Sequence, residues 1–166
     1  MKDSGIARRV DQLGRIVLPM EIRKKLKIVE GTLLDLSLDG NVIKLEKYSP
    51  LLNFKEYAED ILKECENCTY LICDDNKVIF ANKSFKSLID NQINDSSFKL
   101  LDDFAKINYP FKITEDFESS LNFHLIFTIK KDGDLFGYLV FGFNDEPSEQ
   151  VIGACKFICK YISSKL

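Results

Sequence analysis

The first fifty residues hold many apolar side chains for so short a segment, and this limits what the segment can fold into. The apolar set is Ile6, Val10, Leu13, Ile16, Val17, Leu18, Ile22, Leu26, Leu33, Leu34, Leu36, Leu38, Val42, Ile43 and Leu45. A domain of about 60 residues buries only about 60% of its unfolded surface, and no disulfide or metal pattern stabilises this one. A second copy of the chain would complete the core, so we predict a dimer.

The local pattern of this segment predicts strand, strand, short helix, strand, strand. GIARRV and RIVLP are strand candidates around a loop in which Gly14 supplies a positive φ. Pro19 suits the first turn of the helix MEIRKKLKI, which ends before Gly31. LLDLSL and NVIKLEKY then alternate apolar and polar residues around Asp39-Gly40, which predicts a hairpin.

The whole-chain net charge of −3 is the sum of two parts of opposite sign. Residues 1–50 hold 10 Lys and Arg against 7 Asp and Glu, a net of +3, and residues 51–166 hold 13 against 19, a net of −6. Pro50 biases Ser49 away from the helical region, so the strand pattern stops there. We therefore predict two domains, 1–50 and 51–166, the first basic and the second acidic.

The stretch GIARRVDQLGRIVLPMEIRKKLKIVEG, with the hairpin and KYSP behind it, resembles the N-terminal DNA-binding domain of the AbrB-type transition-state regulators. The resemblance implies a swapped-hairpin β-barrel of two interleaved chains, in agreement with the predicted dimer. It also implies that double-stranded DNA is the partner. The implied DNA-binding residues are Arg8, Arg15, Arg23 and Lys24, with Arg9 and Lys25 in reserve.

These cations lie on different elements, so we do not expect one recognition helix in the major groove. Lys24 stands where better-known relatives have Arg, and a lysine acts as a point charge, whereas arginine bonds bidentately. A cationic surface that spans the dimer, follows phosphates and reads groove shape is expected instead.

Residues 51–166 predict an α+β domain in which helices flank an antiparallel sheet. A helix is predicted from Asn53 to Cys65, and a polar helical segment from Lys83 to Ile93. Hairpins are predicted for TYLICDD with KVIFAN and for NFHLIFTIKK with LFGYLVFGF, the second around Asp132-Gly133. A last helix begins at Pro147.

This order resembles a GAF domain, and the whole chain resembles sporulation regulators that join an AbrB-type domain to a GAF-like one. In such regulators the GAF-like domains pair through their terminal helices, which implies a homotetramer. The implied oligomerisation residues are Tyr57, Ile61, Val151, Cys155, Ile158 and Ile162. The last four repeat like a coiled-coil seam, and the alternative is that their helix packs on its own sheet.

A GAF-like fold often holds a small ligand, so an unknown small molecule is a second candidate partner. The candidate pocket residues are Phe98, Phe104, Tyr109, Phe111 and Tyr138. The alternative is that these aromatic residues are ordinary core, and no cyclic-nucleotide motif names a ligand. We expect no cofactor.

Several classes are set aside on sequence grounds. No apolar run reaches eighteen residues and MKDSGIARR lacks a signal-peptide core, so we expect a cytoplasmic protein with five reduced thiols and no membrane contact. Cys65 and Cys68 form a C-x-x-C without the further ligands that zinc needs. His124 has no partner in a catalytic signature. We therefore predict no metal site and no enzyme.

The predicted function is that of a DNA-binding transcriptional regulator of the sporulation type. One rival is an antitoxin-like protein that uses the barrel for DNA and its C-terminal part for a toxin. Another is a ligand-sensing adaptor whose barrel only dimerises.

Overall fold

The computed structural model describes residues 5–54, 57, 60–62, 68–98 and 102–166. The chain divides into two compact units, Met1–Tyr48 and Ser49–Leu166. The division lies two residues before the boundary that the sequence predicts.

The first unit contains one short helix and one hairpin among its described residues. Helix α1 spans Met20–Lys25, strand β1 spans Leu34–Asp39 and strand β2 spans Val42–Lys47. The strands pair antiparallel, with Leu36 opposite Leu45, and Gly40 in the turn has a φ of 59°. The predicted helix and the predicted Asp39-Gly40 hairpin are confirmed.

The two predicted strands before α1 are absent from the described residues 5–19, so that prediction is wrong for a single chain. The only backbone hydrogen bonds within this stretch close a tight turn, from Asp11 N to Arg15 O and from Gly14 N to Asp11 O, each 3.0 Å. A strand needs a neighbour to satisfy its N–H and C=O groups, and the described part of this unit supplies none.

The second unit is built on a five-stranded antiparallel sheet. Its strands are β3 Thr69–Cys73, β4 Val78–Ala81, β5 Phe104–Ile107, β8 Phe123–Lys131 and β9 Asp134–Phe143. Across the sheet they have the order β4-β3-β9-β8-β5. Two further strands, β6 Phe111–Thr114 and β7 Phe117–Ser119, form a separate antiparallel pair. Both predicted hairpins of this half are confirmed.

Helices cover this sheet as the sequence predicts, with two differences. They are α2 Pro50–Asn53, a 3-10 helix Lys83–Leu88, α3 Asp95–Phe98 and α4 Glu149–Lys165. Ser148 caps α4 by accepting a hydrogen bond from Val151 N. Of the helix predicted from Asn53 to Cys65, Tyr57 and residues 60–62 are helical and the rest of residues 55–65 lie outside the described residues.

The segment predicted as helical from Lys83 to Ile93 stops being helical after Leu88. Beyond that point its backbone forms hydrogen bonds with the β3–β4 hairpin: Asp90 N donates to Val78 O, and Ile93 N donates to Asn76 O. These bonds compete directly with helical hydrogen bonds, so the local helical pattern loses to tertiary pairing.

The sheet separates two apolar clusters because successive strand side chains point to opposite faces. Tyr70, Ile72 and Phe141 belong to the cluster that contains α4, whereas Leu71 and Val140 belong to the cluster under the 3-10 helix. Both faces are covered, which explains why every residue of β3 is buried. The α+β prediction for this half is confirmed.

His124 is a buried polar residue in β8 and has 0% of its surface exposed. Its Nε2 lies 2.8 Å from Ser119 Oγ, and Nδ1 has no hydrogen-bond partner among the described residues. Burial lowers the pKa of this imidazole from 6.5 to about 4. The folded unit therefore holds His124 neutral.

We expect acid to destabilise the second unit through His124. The unfolded chain takes up a proton below about pH 6.5 and the folded chain only near pH 4, so stability falls as the pH drops through this window. Between about pH 7.5 and about pH 4.5 the loss should be about 2 kcal/mol. Urea unfolding of the wild type and of His124→Leu tests this, since the variant lacks that part of the pH dependence. An identical pH dependence in both proteins would show that His124 is not responsible.

Candidate nucleic-acid interface

The turn between the two N-terminal segments is organised by one carboxylate, that of Asp11. Its Oδ1 accepts hydrogen bonds from Leu13 N and Arg15 N, both 2.9 Å, and its Oδ2 accepts one from Arg15 Nε at 2.8 Å. These bonds, first of all the one from the Arg15 backbone, lower the pKa of Asp11. Gly14 completes the turn with a φ of 77°. Asp11 therefore fixes both the loop and the direction of the Arg15 side chain.

The four predicted DNA-binding residues and the reserve residue Arg9 are all exposed and lie on three separate parts of the first unit. Arg8 and Arg9 lie on the segment before the turn, Arg15 directly after it, and Arg23 and Lys24 in the last turn of α1. Arg15 is paired with Asp11, whereas the other four have no ion pair within the described residues. The structure describes α1 as only six residues long, too short to act as a recognition helix.

Positive charge is concentrated around these side chains. All four arginines of the chain lie between positions 8 and 23, and residues 51–166 contain none. Residues 5–27 hold seven Lys and Arg against two acids, Asp11 and Glu21. A guanidinium group donates two parallel hydrogen bonds to a phosphate, so this surface has the chemistry that a nucleic-acid backbone requires.

Sequence reasoning missed Asp11 as a positioning residue. The signal was present, because an aspartate four residues before an arginine, with a glycine between them, is typical of a side-chain-capped turn. The negative charge of Asp11 gave no reason to include it in a DNA surface.

The β1–β2 hairpin exposes an apolar face. Leu36, Leu38 and Ile43 have 65%, 74% and 60% of their surface exposed, and the register places them on one side of the ribbon. Ser37 and Lys44 pair on the opposite side. A two-stranded ribbon with an uncovered apolar face is at best marginally stable in water, so this face needs a partner surface.

The structure does not bring the five predicted pocket residues together, so that prediction is wrong for the set. Phe98 packs against Phe111 and Tyr138, with ring centroids 5.3 and 4.9 Å apart, and all three are buried core, as the alternative interpretation held. Phe104 stacks on Phe127 on the other face of the sheet, and Tyr109 is exposed.

The four residues of the predicted seam on α4 face this chain's own sheet. Cys155 and Ile162 are buried in the core, and Val151 and Ile158 pack partly buried against it. The apolar stripe of an amphipathic helix turns to the nearest apolar surface, which here is the sheet. This corrects the expectation for Cys155 and Ile162, which cannot contact another copy in this conformation. Phe157 and Tyr161 on the same helix are exposed, as is Tyr57, while Ile61 is half-buried.

The described cysteines, Cys68, Cys73, Cys155 and Cys159, are free thiols, and Cys65 lies outside the described residues. Burial raises the pKa of Cys159 to about 11 and that of Cys73 well above its usual value, so neither is a reactive thiolate.

No helix in the described part of the chain has the length and hydropathy needed to cross a membrane.

Among the solved structures that are similar to this chain, two cover different parts of it. The N-domain of the transcription factor AbrB shares 48% identity over 30% of this chain and 96% of that chain, with a TM-score of 0.29. The chromophore-binding domain of a bacteriophytochrome from R. palustris shares 12% identity over 80% of this chain and 67% of that one, with a TM-score of 0.40. At these TM-scores neither likeness bears on the fold.

Sequence relatives are more informative. Residues 7–52 match the family described as antidote-toxin recognition MazE, bacterial antitoxin. Among the similar proteins are two from Bacillus subtilis (strain 168). The transition state regulatory protein AbrB is 42% identical over 38% of this chain and 69% of its own length. Stage V sporulation protein T is 34% identical over 91% of this chain and 90% of its own length. The chain therefore belongs to the AbrB-type family of transition-state regulators, and its similarity to Stage V sporulation protein T extends over nearly its whole length.

Proposed function

We propose that this protein is a transcriptional regulator that binds duplex DNA through the cationic surface of its first unit. The observation that carries the proposal is that Arg8, Arg9, Arg23 and Lys24 are exposed and without ion pairs within the described residues, in a chain of this family. Exposed cations without partners can exchange their counterions for phosphates, which is the main source of affinity for DNA. This function places the protein in the cytoplasm.

Asp11 fixes the position of one cation of this surface, Arg15. Because Arg15 is held by two bonds from its own backbone N and Nε to Asp11, its guanidinium reaches the DNA with little loss of side-chain entropy. The remaining guanidinium nitrogens are available to a phosphate or to a base edge. We assign Arg15 to positioning the protein on DNA, and the flexible cations to affinity.

The active form is a dimer in which two first units complete one barrel. Apart from Pro19, every buried aliphatic or aromatic side chain in the described ranges lies between Leu51 and Ile162, so the first unit has no apolar core of its own. Ile6, Val10, Leu13, Ile16 and Val17 are all exposed on segments that lack a strand partner. A swapped hairpin from a second copy would supply both the missing strand neighbours and the missing core.

Two lysine substitutions on one strand test this dimer. Leu38→Lys introduces a charge on the apolar face of the hairpin, and Ser37→Lys introduces the same charge on the polar face. We expect Leu38→Lys to halve the particle mass in light scattering and to abolish a duplex DNA shift. Ser37→Lys should leave the mass unchanged. If both variants keep the wild-type mass and shift DNA equally, the hairpin face is not the dimer interface.

In this proposal the second unit joins two dimers into a tetramer and binds a small molecule that regulates the protein. Tyr57, Phe157 and Tyr161 are exposed aromatic side chains that could contact another copy. A tetramer made from two barrels would carry two DNA-binding surfaces, and linked surfaces bind a long duplex more tightly than single ones.

The antitoxin alternative has one supporting observation, the match of residues 7–52 to the MazE antitoxin family. Toxin-neutralising tails are short and extended, whereas the described part of the second unit contains a five-stranded sheet with two apolar clusters. The folded second unit therefore favours a regulator.

A further inference from the structure

The second unit has a cleft of about 480 Å³ between α4 and the edge of the five-stranded sheet. This volume is in the range of small-molecule sites, about 300 to 1,000 Å³. The sheet side of the cleft includes Phe104 and Phe127, and the helix side includes Lys156 and Lys160. Asp103 and Lys130 also line the cleft.

The cleft exists because the edge strand is not fully covered by the helix. Strand β5 is the last strand of the sheet and pairs only with β8, on which α4 packs. Phe104 is the cross-strand partner of Phe127, and their rings stack with centroids 4.8 Å apart and planes 28° apart. Phe127 is buried, but Phe104 keeps 40% of its surface exposed. The result is an aromatic wall that is accessible from the cleft.

The charges around this wall are unbalanced. Lys130 forms an ion pair with Asp103 at 2.6 Å. Lys156 and Lys160 lie one helical turn apart, and neither has an ion pair within the part of the chain that the structure describes. Like charges at this spacing repel each other. Two unpaired ammonium groups beside an aromatic wall contrast with the net charge of −6 on residues 51–166, so an anion in the cleft would relieve their repulsion.

We propose that this cleft binds a small molecule with an apolar, ring-sized body and one anionic group, a carboxylate or a phosphate. The body would contact Phe104 and Phe127, and the anionic group would bind Lys156 and Lys160. The site is separate from the aromatic set that the sequence suggested, since Phe98, Phe111 and Tyr138 lie in the core on the opposite face of the sheet. It does not depend on DNA binding by the first unit.

The proposal can be tested with 2-naphthyl phosphate and the full-length protein. The chain contains no tryptophan, so the fluorescence anisotropy of the naphthyl group can be followed directly. We expect saturable binding with a Kd at or below about 1 mM. The double variant Lys156→Gln, Lys160→Gln should weaken binding about tenfold or more, and Phe104→Ala should also weaken it. Lys86→Gln, on the 3-10 helix, is the matched control and should leave the Kd unchanged.

Comparison of three ligands separates the contributions of the apolar body and of the anionic group to the binding affinity. 2-Naphthoate binding more tightly than 2-naphthyl phosphate would assign the site to carboxylates, and the reverse would assign it to phosphates. Neutral 2-naphthol should bind about tenfold more weakly than the better anion. The proposal is overturned if no anion binds saturably, if 2-naphthol binds as tightly, or if the double lysine variant keeps the wild-type Kd.

Discussion

Replacement of Arg8, Arg15 and Arg23 by alanine is expected to lower the affinity for duplex DNA by at least about 100-fold at about 0.1 M salt. A dimer of this variant loses six cations from the proposed surface, and each lost phosphate contact removes both a charge-assisted hydrogen bond and the release of a counterion. The three side chains are exposed, so the fold and the oligomer should be unchanged. Fluorescence anisotropy with a labelled duplex measures the affinity, and light scattering checks the mass.

A matched control shows whether DNA affinity depends on where the positive charge is removed or only on how much is removed. Lys86, Lys112 and Lys131 are exposed lysines of the second unit, and changing all three to alanine removes the same charge from the chain. We expect this control to bind DNA with nearly wild-type affinity. If the arginine variant keeps wild-type affinity with an intact oligomer, the barrel only dimerises and the adaptor alternative is favoured.

Gly137→Ala is expected to destabilise the second unit by more than about 3 kcal/mol. A Cβ at this position would overlap the Cys73 carbonyl oxygen and lie 2.8 Å from Leu51 Cδ1. The first contact is with the backbone of β3, the strand that pairs with β9 in the middle of the sheet, so neither strand can move without breaking their ladder. Urea unfolding followed by circular dichroism measures the change.

Gly153→Ala is the matched control for this substitution. Gly153 lies within α4, and nothing lies within 4 Å of the Cβ it would gain. Alanine is favoured over glycine in a helix interior by up to about 1 kcal/mol, so we expect a small stabilisation. Equal stability of Gly137→Ala and the wild type would contradict the close packing of β9 on β3.

Sequence patterns predicted those elements whose determinants are local. The Asp39-Gly40 and Asp132-Gly133 turns each specify a hairpin within a few residues, and the structure has both. Helix α4 was equally predictable from the sequence, because its apolar spacing and its Ser148 cap are both local features.

The predictions that were wrong concern elements whose structure depends on parts of the chain that are distant in sequence. GIARRV has a strand pattern, but the pairing partner that a strand needs does not lie within the described part of the same unit. Phe104 and Phe98 look alike in the sequence, yet pairing of Phe104 with Phe127 places it on the α4 face, whereas Phe98 lies under the other face. Which face an aromatic residue takes depends on strand register, and single-sequence patterns do not determine the register of non-neighbouring strands.

The exposure of the predicted DNA-binding side chains follows from the sequence, since arginine and lysine are seldom buried, and their contact with DNA stays a prediction. The sequence analysis did not predict that Asp11 holds the Arg15 side chain. A carboxylate within a basic segment lowers its net charge, so Asp11 was not considered as a positioning residue.

The salt dependence of duplex DNA binding tests the central claim most directly. If about four cations of each chain engage, a dimer neutralises about eight phosphates, and the logarithm of the binding constant should fall against the logarithm of salt concentration with a slope of about −7. The intact protein and one duplex suffice for the titration. A slope near −7 supports a phosphate-binding surface that spans two chains, and a slope shallower than about −2 would contradict it.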